Sequence, residues 1–227
     1  EPLLYVTPFD DVETVPGELL AESLSDAYGR DGVEQTILIT RSNKRATQFN
    51  LAIRANILYK EEELTRDELL LVAKNNYYWT SKVKEIDFVA NGDVATIVKV
   101  YGTEYKYNLR FADVSLHFPD HDVTLDCKIM LSTLTSDAPA LETERMNRLY
   151  QECINDPELF AADAPMSVRL KGLKSNPYYN ALQGKYAYAI TCHKAQGGQW
   201  RNVYVDMGYI PPEAQGMEFY RWLYTAT

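Results

Sequence analysis

The chain has 227 residues, of which 46% are hydrophobic, and this is enough for one large domain or two small ones with a packed core. Three scattered cysteines argue against a disulfide scaffold and favour a reducing, cytoplasmic environment. No apolar run has the length of a membrane span, and the first residues lack the basic and apolar regions of a signal peptide. We therefore expect a soluble protein with no membrane partner.

The charge of the chain is unevenly distributed. A net charge of −9 and a pI of about 4.9 argue, taken alone, against nucleic-acid binding. Two segments, residues 35–60 and 164–205, nevertheless contain no Asp or Glu. They predict one shared anion-facing surface, and the alternative is chance clustering on solvated faces. Their basic residues are Arg41, Lys44, Arg45, Arg54, Lys60, Arg169, Lys171, Lys174, Lys185, Lys194 and Arg201.

The first part of the chain predicts alternating helices and strands. Apolar residues recur at helical spacing over residues 17–29, and Gly29 predicts the end of that helix. Residues 36–40, TILIT, predict a short buried strand, and Ser42 predicts the N-cap of a second helix that runs to about residue 58. A strand, a basic turn and a helix in this order are typical of an α/β fold with a parallel sheet.

The middle of the chain predicts a small all-β barrel, because short apolar segments alternate with Gly and Asn turns. The predicted strands are residues 69–73, 94–101, 105–111 and 123–134. An amphipathic helix is predicted over residues 141–154, and residues 155–165 are predicted to be irregular. Strands at 186–191 and 202–206 and a helix at 218–226 then restore the α/β pattern. The sequence thus predicts an α/β domain interrupted by a β insertion.

Arg41 is the first candidate binding residue. It directly follows the predicted strand of residues 36–40, and ligands of open α/β sheets bind at the carboxyl edge of the strands. Its planar guanidinium can donate two hydrogen bonds to a phosphate. The alternative is an ordinary surface arginine at the start of a capped helix.

The densest polar turn of the chain lies between the predicted strands at 186–191 and 202–206. Burying so many hydrogen-bonding groups in a packed interior would cost free energy, so we predict that this turn contacts a ligand. A lone histidine is more often structural, but His193 is one of several polar residues within seven positions. The paired glycines permit close approach to the backbone. The residues concerned are Thr191, His193, Lys194, Gln196, Gly197 and Gly198.

Several sites that are common in enzymes have no support in the sequence. There is no G-x-x-x-x-G-K-[ST] phosphate loop, since the only Gly-Lys pair is followed by Tyr186, and no convincing Asp-Glu pair for magnesium ends an apolar strand. His117, His121 and Cys127 match no standard zinc spacing, so we predict a surface loop and no metal site. Nothing marks a nuclease site.

Residues 40–45, TRSNKR, resemble motif IV of the superfamily 1 helicases, in their RecD-like and Dda-like branch. The resemblance implies that Arg41 contacts the γ-phosphate of ATP and that Asn43 and Lys44 lie near DNA. Residues 221–227, RWLYTAT, resemble the opening of motif VI, which continues in the family with an arginine that acts on the γ-phosphate during hydrolysis. Because the sequence stops before that arginine, we expect the C-terminal portion of a larger helicase; the alternative is a naturally truncated paralogue.

The polar turn resembles motif V of the same branch, which touches single-stranded DNA and couples it to the ATP site. Many relatives carry an acidic residue after the glycines that can hold the ribose, whereas this chain has Gln199 and then Trp200. An amide can still bond a ribose hydroxyl, so Gly198 and Gln199 are nucleotide-binding candidates. The DNA-binding residues that the resemblance implies are Thr191, His193, Lys194 and Gln196.

The predicted barrel also resembles a part of RecD-like helicases. LLLVAKNNYYW at residues 69–79 and FVANGDVATIV at 88–98 are similar to the SH3-like barrel inserted between motifs IV and V, which the family uses near the emerging strand. Tyr77, Tyr78 and Trp79 could stack on bases, which makes Tyr78 and Trp79 DNA-binding candidates. The alternative is that these aromatics pack between the barrel and the motor domain.

The resemblance implies a second RecA-like domain, residues 1–68 and 186–227, with an SH3-like insertion at 69–185. The implied parent uses ATP and Mg²⁺ to translocate 5′ to 3′ on single-stranded DNA and to unwind duplex DNA, as a RecD-like alpha-type subunit of exodeoxyribonuclease V would.

An N-terminal RecA-like domain, the expected partner, would supply the Mg²⁺ ligands, so we expect this chain alone to be inactive. Two other classes stay open. One is a non-catalytic single-stranded-DNA-binding or regulatory module, and the other is a different α/β ATPase such as a nucleotide kinase.

Overall fold

The structure, a computed structural model, describes residues 10–208, 211 and 216–226. The chain forms two compact units. Glu1–Glu61 together with Tyr188–Thr227 is called the α/β unit, and Glu62–Ala187 is called the barrel unit. Within the described ranges, no helix has both the length and the apolar character needed to cross a membrane.

Helices and strands alternate in the α/β unit, whereas strands dominate the barrel unit. In chain order the elements are α1 (Leu20–Asp31), β1 (Thr36–Thr40), α2 (Asn43–Asn56), β2 (Leu69–Val72), β3 (Val94–Lys106), β4 (Leu109–Phe118), β5 (Val123–Met130), α3 (Thr143–Ile154), α4 (Met166–Lys174), β6 (Leu182–Tyr186), β7 (Ala189–Thr191), α5 (Cys192–Ala195), β8 (Asn202–Val205) and α6 (Met217–Ala226). Short 3-10 helices occur at Gly17–Leu19, Val33–Gln35, Pro119–His121 and Leu131–Thr133.

The sheet of the α/β unit consists of three parallel strands in the order β7-β1-β8. The central strand β1 is buried at all five positions, which is typical of a parallel strand covered on both faces. Thr40 pairs with Thr191, and Ile39 pairs with Val205. The three strands therefore end at the same edge of the sheet, and the predicted parallel α/β arrangement is confirmed.

The helix ends follow local signals, with one correction. The predicted N-cap of α2 is confirmed, because the Ser42 hydroxyl accepts a hydrogen bond from the Arg45 N–H at 3.2 Å. The predicted end of the first helix at Gly29 is wrong, since α1 continues past it. The helix stops at Gly32, which has a φ of 94° and whose N–H donates to the Tyr28 carbonyl at 3.0 Å.

The barrel unit contains the predicted small barrel, closed in the order β2-β3-β4-β5-β6. Neighbouring strands are antiparallel except for β5 and β6, which run parallel. Ile97 and Val114 are completely buried, and Phe111 is buried in a cluster with Leu149 and Cys153 of α3. The mixed α/β chain with a β insertion is thus present as predicted.

Two predicted strands are wrong because a turn or a boundary falls inside them. Residues 105–111 were expected to form one strand, but Tyr107 and Asn108 have φ values of 52° and 53° and make the tight turn between β3 and β4. The expected strand at 186–191 is two strands, because Tyr186 ends β6 and Ala189 begins β7. Helix α4, which follows the irregular segment, has no counterpart among the predicted elements.

Two basic side chains of the predicted anion-facing surface instead form hydrogen bonds within the barrel unit. Arg169 and Lys185 both donate hydrogen bonds to backbone carbonyls, which fixes their charges in place. Burial also lowers the pKa of the Lys185 ammonium to about 8. The accepting carbonyls are those of Ile154, Ala161, Ala162 and Ala164 for Arg169, and of Thr133 and Ser136 for Lys185.

Candidate functional site

The carboxyl ends of β1 and β7 are joined by the hydroxyl of Thr40. The hydroxyl oxygen of this fully buried side chain lies 3.3 Å from the Ile190 carbonyl oxygen and 3.1 Å from the Ser42 carbonyl oxygen, so the two carbonyls share its single proton. One hydroxyl thereby ties the turn into α2 to the neighbouring strand. Arg41 and Thr191, which the sequence predicted to bind ligand, consequently emerge from adjacent strands at the same edge.

Arg41 lies against two aromatic rings of α6. Its guanidinium carbon is 5.6 Å from the centre of the Phe219 ring and 5.5 Å from that of Trp222, and the two rings are inclined by 22°. Such cation–π contacts hold the side chain without using its N–H groups. Because no described residue accepts a hydrogen bond from Arg41, its donors are available to an anion.

The polar turn begins at Thr191, the last residue of β7. Thr191 occupies the N-cap position of α5, but its hydroxyl makes no capping hydrogen bond. Cys192 points inward, and its thiol lies 4.0 Å from the Trp222 carbonyl. His193 is exposed, and burial lowers the pKa of the Lys194 ammonium. The turn therefore presents an exposed imidazole and a hydroxyl that has no hydrogen-bond partner among the described residues, on a segment anchored by a buried thiol.

An open cleft of about 560 Å³ lies beside this turn. Side chains alternate along a strand, so Ile39 and Val203 share the face of the sheet opposite Tyr204, whose hydroxyl donates to the Ser23 carbonyl on α1. The cleft is lined entirely by uncharged residues, which suits a neutral group such as a nucleoside better than a phosphate. The other lining residues are Ala195, Gln196, Gly197, Gly198, Gln199, Trp200, Thr225 and Ala226.

Gly198 and Trp200 pack together at the wall of the cleft. A Cβ atom at position 198 would overlap the indole ring of Trp200, so only glycine fits while that ring stays in place. Gly197 has a φ of 85°, a left-handed conformation that glycine adopts without strain. The glycine pair is therefore required by the local structure, in addition to the close ligand approach that the sequence suggested.

We expect Gly198→Ala to displace the Trp200 ring and to destabilise the α/β unit by about 0.5–1.5 kcal/mol, the cost of a side chain forced out of its preferred rotamer. Thermal unfolding and tryptophan fluorescence would report both effects. Gly29→Ala is the matched control, because a Cβ there meets nothing within 4 Å and alanine is the better helix former. Unchanged fluorescence and stability of Gly198→Ala would contradict this packing.

Tyr78 and Trp79 lie in the barrel unit with their polar atoms occupied. The Tyr78 hydroxyl donates to the Ser175 carbonyl at 3.0 Å, and the Trp79 Nε1 donates to the Asn180 carbonyl at 2.9 Å. The two rings contact each other edge to face, with centroids 4.8 Å apart. These contacts favour a packing role, and base stacking by either residue stays a prediction.

The histidines near position 120 have local partners. His117 Nδ1 lies 3.2 Å from the Thr124 hydroxyl, and His121 Nε2 lies 3.8 Å from an Asp93 carboxylate oxygen. Cys127 is buried. In the part of the chain that the structure describes, no group of three or more His, Cys, Asp or Glu side chains is placed to hold a metal.

Sequence reasoning missed one ion pair at the carboxyl edge. Arg45 donates to both oxygens of Asp206, from Nε at 2.7 Å and from a terminal nitrogen at 3.1 Å. This pair ties the first turn of α2 to the end of β8. Since parallel strands end together, a carboxylate directly after β8 could have indicated it.

Comparison with known families adds one finding. Residues 186–227 match the family described as the UvrD-like helicase C-terminal domain. This segment contains β7, α5, β8 and α6, and hence both the polar turn and the rings that contact Arg41. No curated protein matches the chain in sequence.

This match supports a helicase-related function. More specifically, residues 186–227 are similar to the C-terminal domain of UvrD-like helicases.

Proposed function

We propose that the chain is the second motor domain, with its inserted barrel, of an ATP-dependent DNA helicase of the RecD-like branch that moves 5′ to 3′ on single-stranded DNA. The observation that carries the proposal is that Arg41, the polar turn and α6 lie together at one edge of the sheet. The polar turn and α6 belong to the segment that matches the helicase family. Residues 1–68 and 186–227 would be RecA-like, and 69–185 would be SH3-like.

On the ATP side, Arg41 would bind the γ-phosphate of a nucleotide held between this domain and an N-terminal RecA-like domain. ATP supplies the phosphoryl group that water attacks, and a guanidinium stabilises the charge that develops on its oxygens. The Mg²⁺ ligands and the phosphate loop would belong to the N-terminal domain. Gly198 and Gln199 would contact the nucleoside from the uncharged cleft.

On the DNA side, the proposed contacts come from the polar turn and from the start of α2. The hydroxyl of Thr191 and the exposed imidazole of His193 can bond phosphate oxygens, and such contacts carry no sequence information. This suits a protein that must move along any sequence. The remaining proposed contacts are Lys194, Gln196, Asn43 and Lys44.

Helix α6 offers a physical link between the two ligands. Trp222 contacts Arg41 through its ring and the Cys192 thiol through its carbonyl, at 5.5 Å and 4.0 Å respectively. A displacement of Arg41 on binding phosphate would therefore reach the polar turn through one residue. We propose that this shared contact couples the nucleotide state to the affinity of the polar turn for DNA.

The first test uses the 227-residue chain itself. We expect it to bind a fluorescein-labelled dT oligonucleotide and to show no Mg²⁺-dependent ATP hydrolysis. A Thr191→Val, His193→Ala double variant should raise the dissociation constant about tenfold, because two hydrogen bonds to phosphate are lost. Fluorescence anisotropy measures the affinity.

The matched control is His121→Ala, which removes another exposed histidine, in the barrel unit, and should leave the affinity unchanged. An unaltered affinity of the double variant, or ATP turnover by this chain alone, would contradict the assignment.

A further inference from the structure

Asp206, which directly follows β8, contacts the chain on both sides of Arg41. Its backbone N–H donates to the Ile39 carbonyl at 2.9 Å, two residues before Arg41. Its carboxylate accepts from Nε of Arg45 at 2.7 Å and from a terminal nitrogen at 3.1 Å, four residues after Arg41. A single residue therefore fixes both the strand that leads to Arg41 and the helix that follows it.

Arg45 is held by its backbone as well as by its side chain. Its N–H donates to the hydroxyl of Ser42, the N-cap of α2, and its guanidinium carbon is 4.7 Å from the centre of the Phe49 ring. The two hydrogen bonds to Asp206 are bidentate, and such a pair fixes orientation as well as distance. The start of α2 is thus placed relative to β8, and Arg41 directly precedes that start.

The turn at Arg41 is also tied to the other neighbouring strand. The Thr40 hydroxyl lies between the carbonyl oxygens of Ser42 and Ile190, and Ile190 belongs to β7. The Arg41 side chain itself is exposed and contacts the two aromatic rings of α6. Because no described residue accepts a hydrogen bond from its guanidinium, the direction of this side chain depends on its backbone and on those rings.

The pair of Arg45 and Asp206 adds little to stability for an ion pair of its exposure. The Arg45 side chain is 47% exposed, so solvent screens the attraction. A comparable carboxylate, Asp31, pairs with Arg30 and Arg201 and accepts from the amide of Asn202, the first residue of β8. Asp31 thus lies at the opposite end of β8 and offers a control for a purely structural effect.

We propose that Asp206 and Arg45 are positioning residues for Arg41: they set the direction from which its guanidinium reaches an anionic oxygen. That this oxygen belongs to the γ-phosphate of ATP rests on the proposed helicase function. Misplacing a group by about 1 Å can lower a rate as much as about a hundredfold. The pair should therefore affect turnover more than nucleotide binding, because Arg41 would act mainly on charge that develops in the transition state.

The first test observes the position of Arg41 by NMR in the 227-residue chain. The ring currents of Phe219 and Trp222 should shift the Arg41 Hε signal upfield, and the loss of this signal in Arg41→Lys would assign it. Asp206→Asn should move the signal towards that of a solvated arginine, and Asp206→Glu, which keeps the carboxylate, should move it less. Asp31→Asn should leave the signal in place.

The second test measures ATP turnover by the proposed full-length helicase. Asp206→Asn should lower the DNA-stimulated kcat about tenfold and change KM for ATP by less than about twofold. Arg45→Ala leaves the carboxylate without its partner and should be impaired at least as much. The kcat of Asp31→Asn should stay within about twofold of the wild type.

The outcomes separate the positioning role from the helicase proposal. An unmoved Arg41 signal in Asp206→Asn would overturn the positioning role. So would a moved signal with wild-type kcat, in a protein whose Arg41→Ala variant is impaired. Wild-type turnover of Arg41→Ala would instead overturn the proposed ATP site, and the NMR result would still decide whether Asp206 positions Arg41.

Discussion

Replacing Arg41 with alanine is expected to lower the single-stranded-DNA-stimulated ATPase rate of the proposed full-length helicase about a hundredfold or more. The substitution removes a cation whose hydrogen-bond donors have no described partner and which stands at the carboxyl edge of β1. A group aimed at the developing charge on a phosphoryl oxygen acts mainly in the transition state, so the loss should fall on kcat more than on KM.

Two controls make the result specific to the guanidinium. Arg41→Lys keeps the charge but loses the planar fork, so its rate should lie between those of the wild type and the alanine variant. Arg66→Ala removes an arginine of the barrel unit that is 76% exposed and should leave the rate unchanged. The loss of cation–π contacts with Phe219 and Trp222 should cost about 0.5–1 kcal/mol of stability, too little to unfold the unit.

The outcome separates the two main functional classes. An alanine variant with wild-type turnover would remove Arg41 from the ATP site. If the full-length wild type binds single-stranded DNA and hydrolyses no ATP, the non-catalytic DNA-binding module replaces the helicase proposal.

Asn50→Ala is expected to destabilise the α/β unit by roughly 3–5 kcal/mol and to lower its melting temperature by about 10 °C. Asn50 lies on α2, is 3% exposed and binds the backbone at the start of β7. Its Oδ1 accepts from the N–H groups of Tyr188 and Ala189 at 3.0 and 2.8 Å, and its Nδ2 donates to the Ala189 carbonyl at 2.8 Å. The truncation leaves buried backbone groups without partners.

Circular dichroism melting would measure this loss. Gln48→Ala changes an exposed amide on the same helix and should shift the stability by less than about 0.5 kcal/mol. Because Thr191 is the last residue of β7, the Asn50 variant should also bind single-stranded DNA more weakly. A wild-type melting temperature would show that the strand is fixed by other contacts.

The predictable parts of the fold are those with a local cause. The apolar run of β1 predicts a buried strand, and the hydroxyl of Ser42 predicts the start of a helix. Both signals lie within a few residues of the feature that they predict. The turn at Tyr107 and Asn108 lacks the glycine that usually marks a two-residue hairpin loop, so no local signal indicated the turn. The run at 186–191 reads as one strand because both halves are buried, although in different units.

In the candidate site, too, local sequence signals predict some features and not others. Arg41 and Thr191 could be placed together because each lies at the carboxyl end of a strand, and parallel strands end at a common edge. The contact of Arg41 with Phe219 and Trp222 joins residues about 180 positions apart, and no local pattern encodes such a pairing.

The barrel unit begins and ends on neighbouring strands. Leu70 of β2 pairs with Tyr186 of β6, and the Ala187 N–H donates to the Leu69 carbonyl at 3.0 Å. Its entry and exit are therefore separated by about 5 Å, the spacing of an antiparallel pair. Such an insert can be enlarged, exchanged or deleted during evolution without changing the order or the pairing of β7, β1 and β8. The host sheet can conserve its chemistry while the insert diversifies.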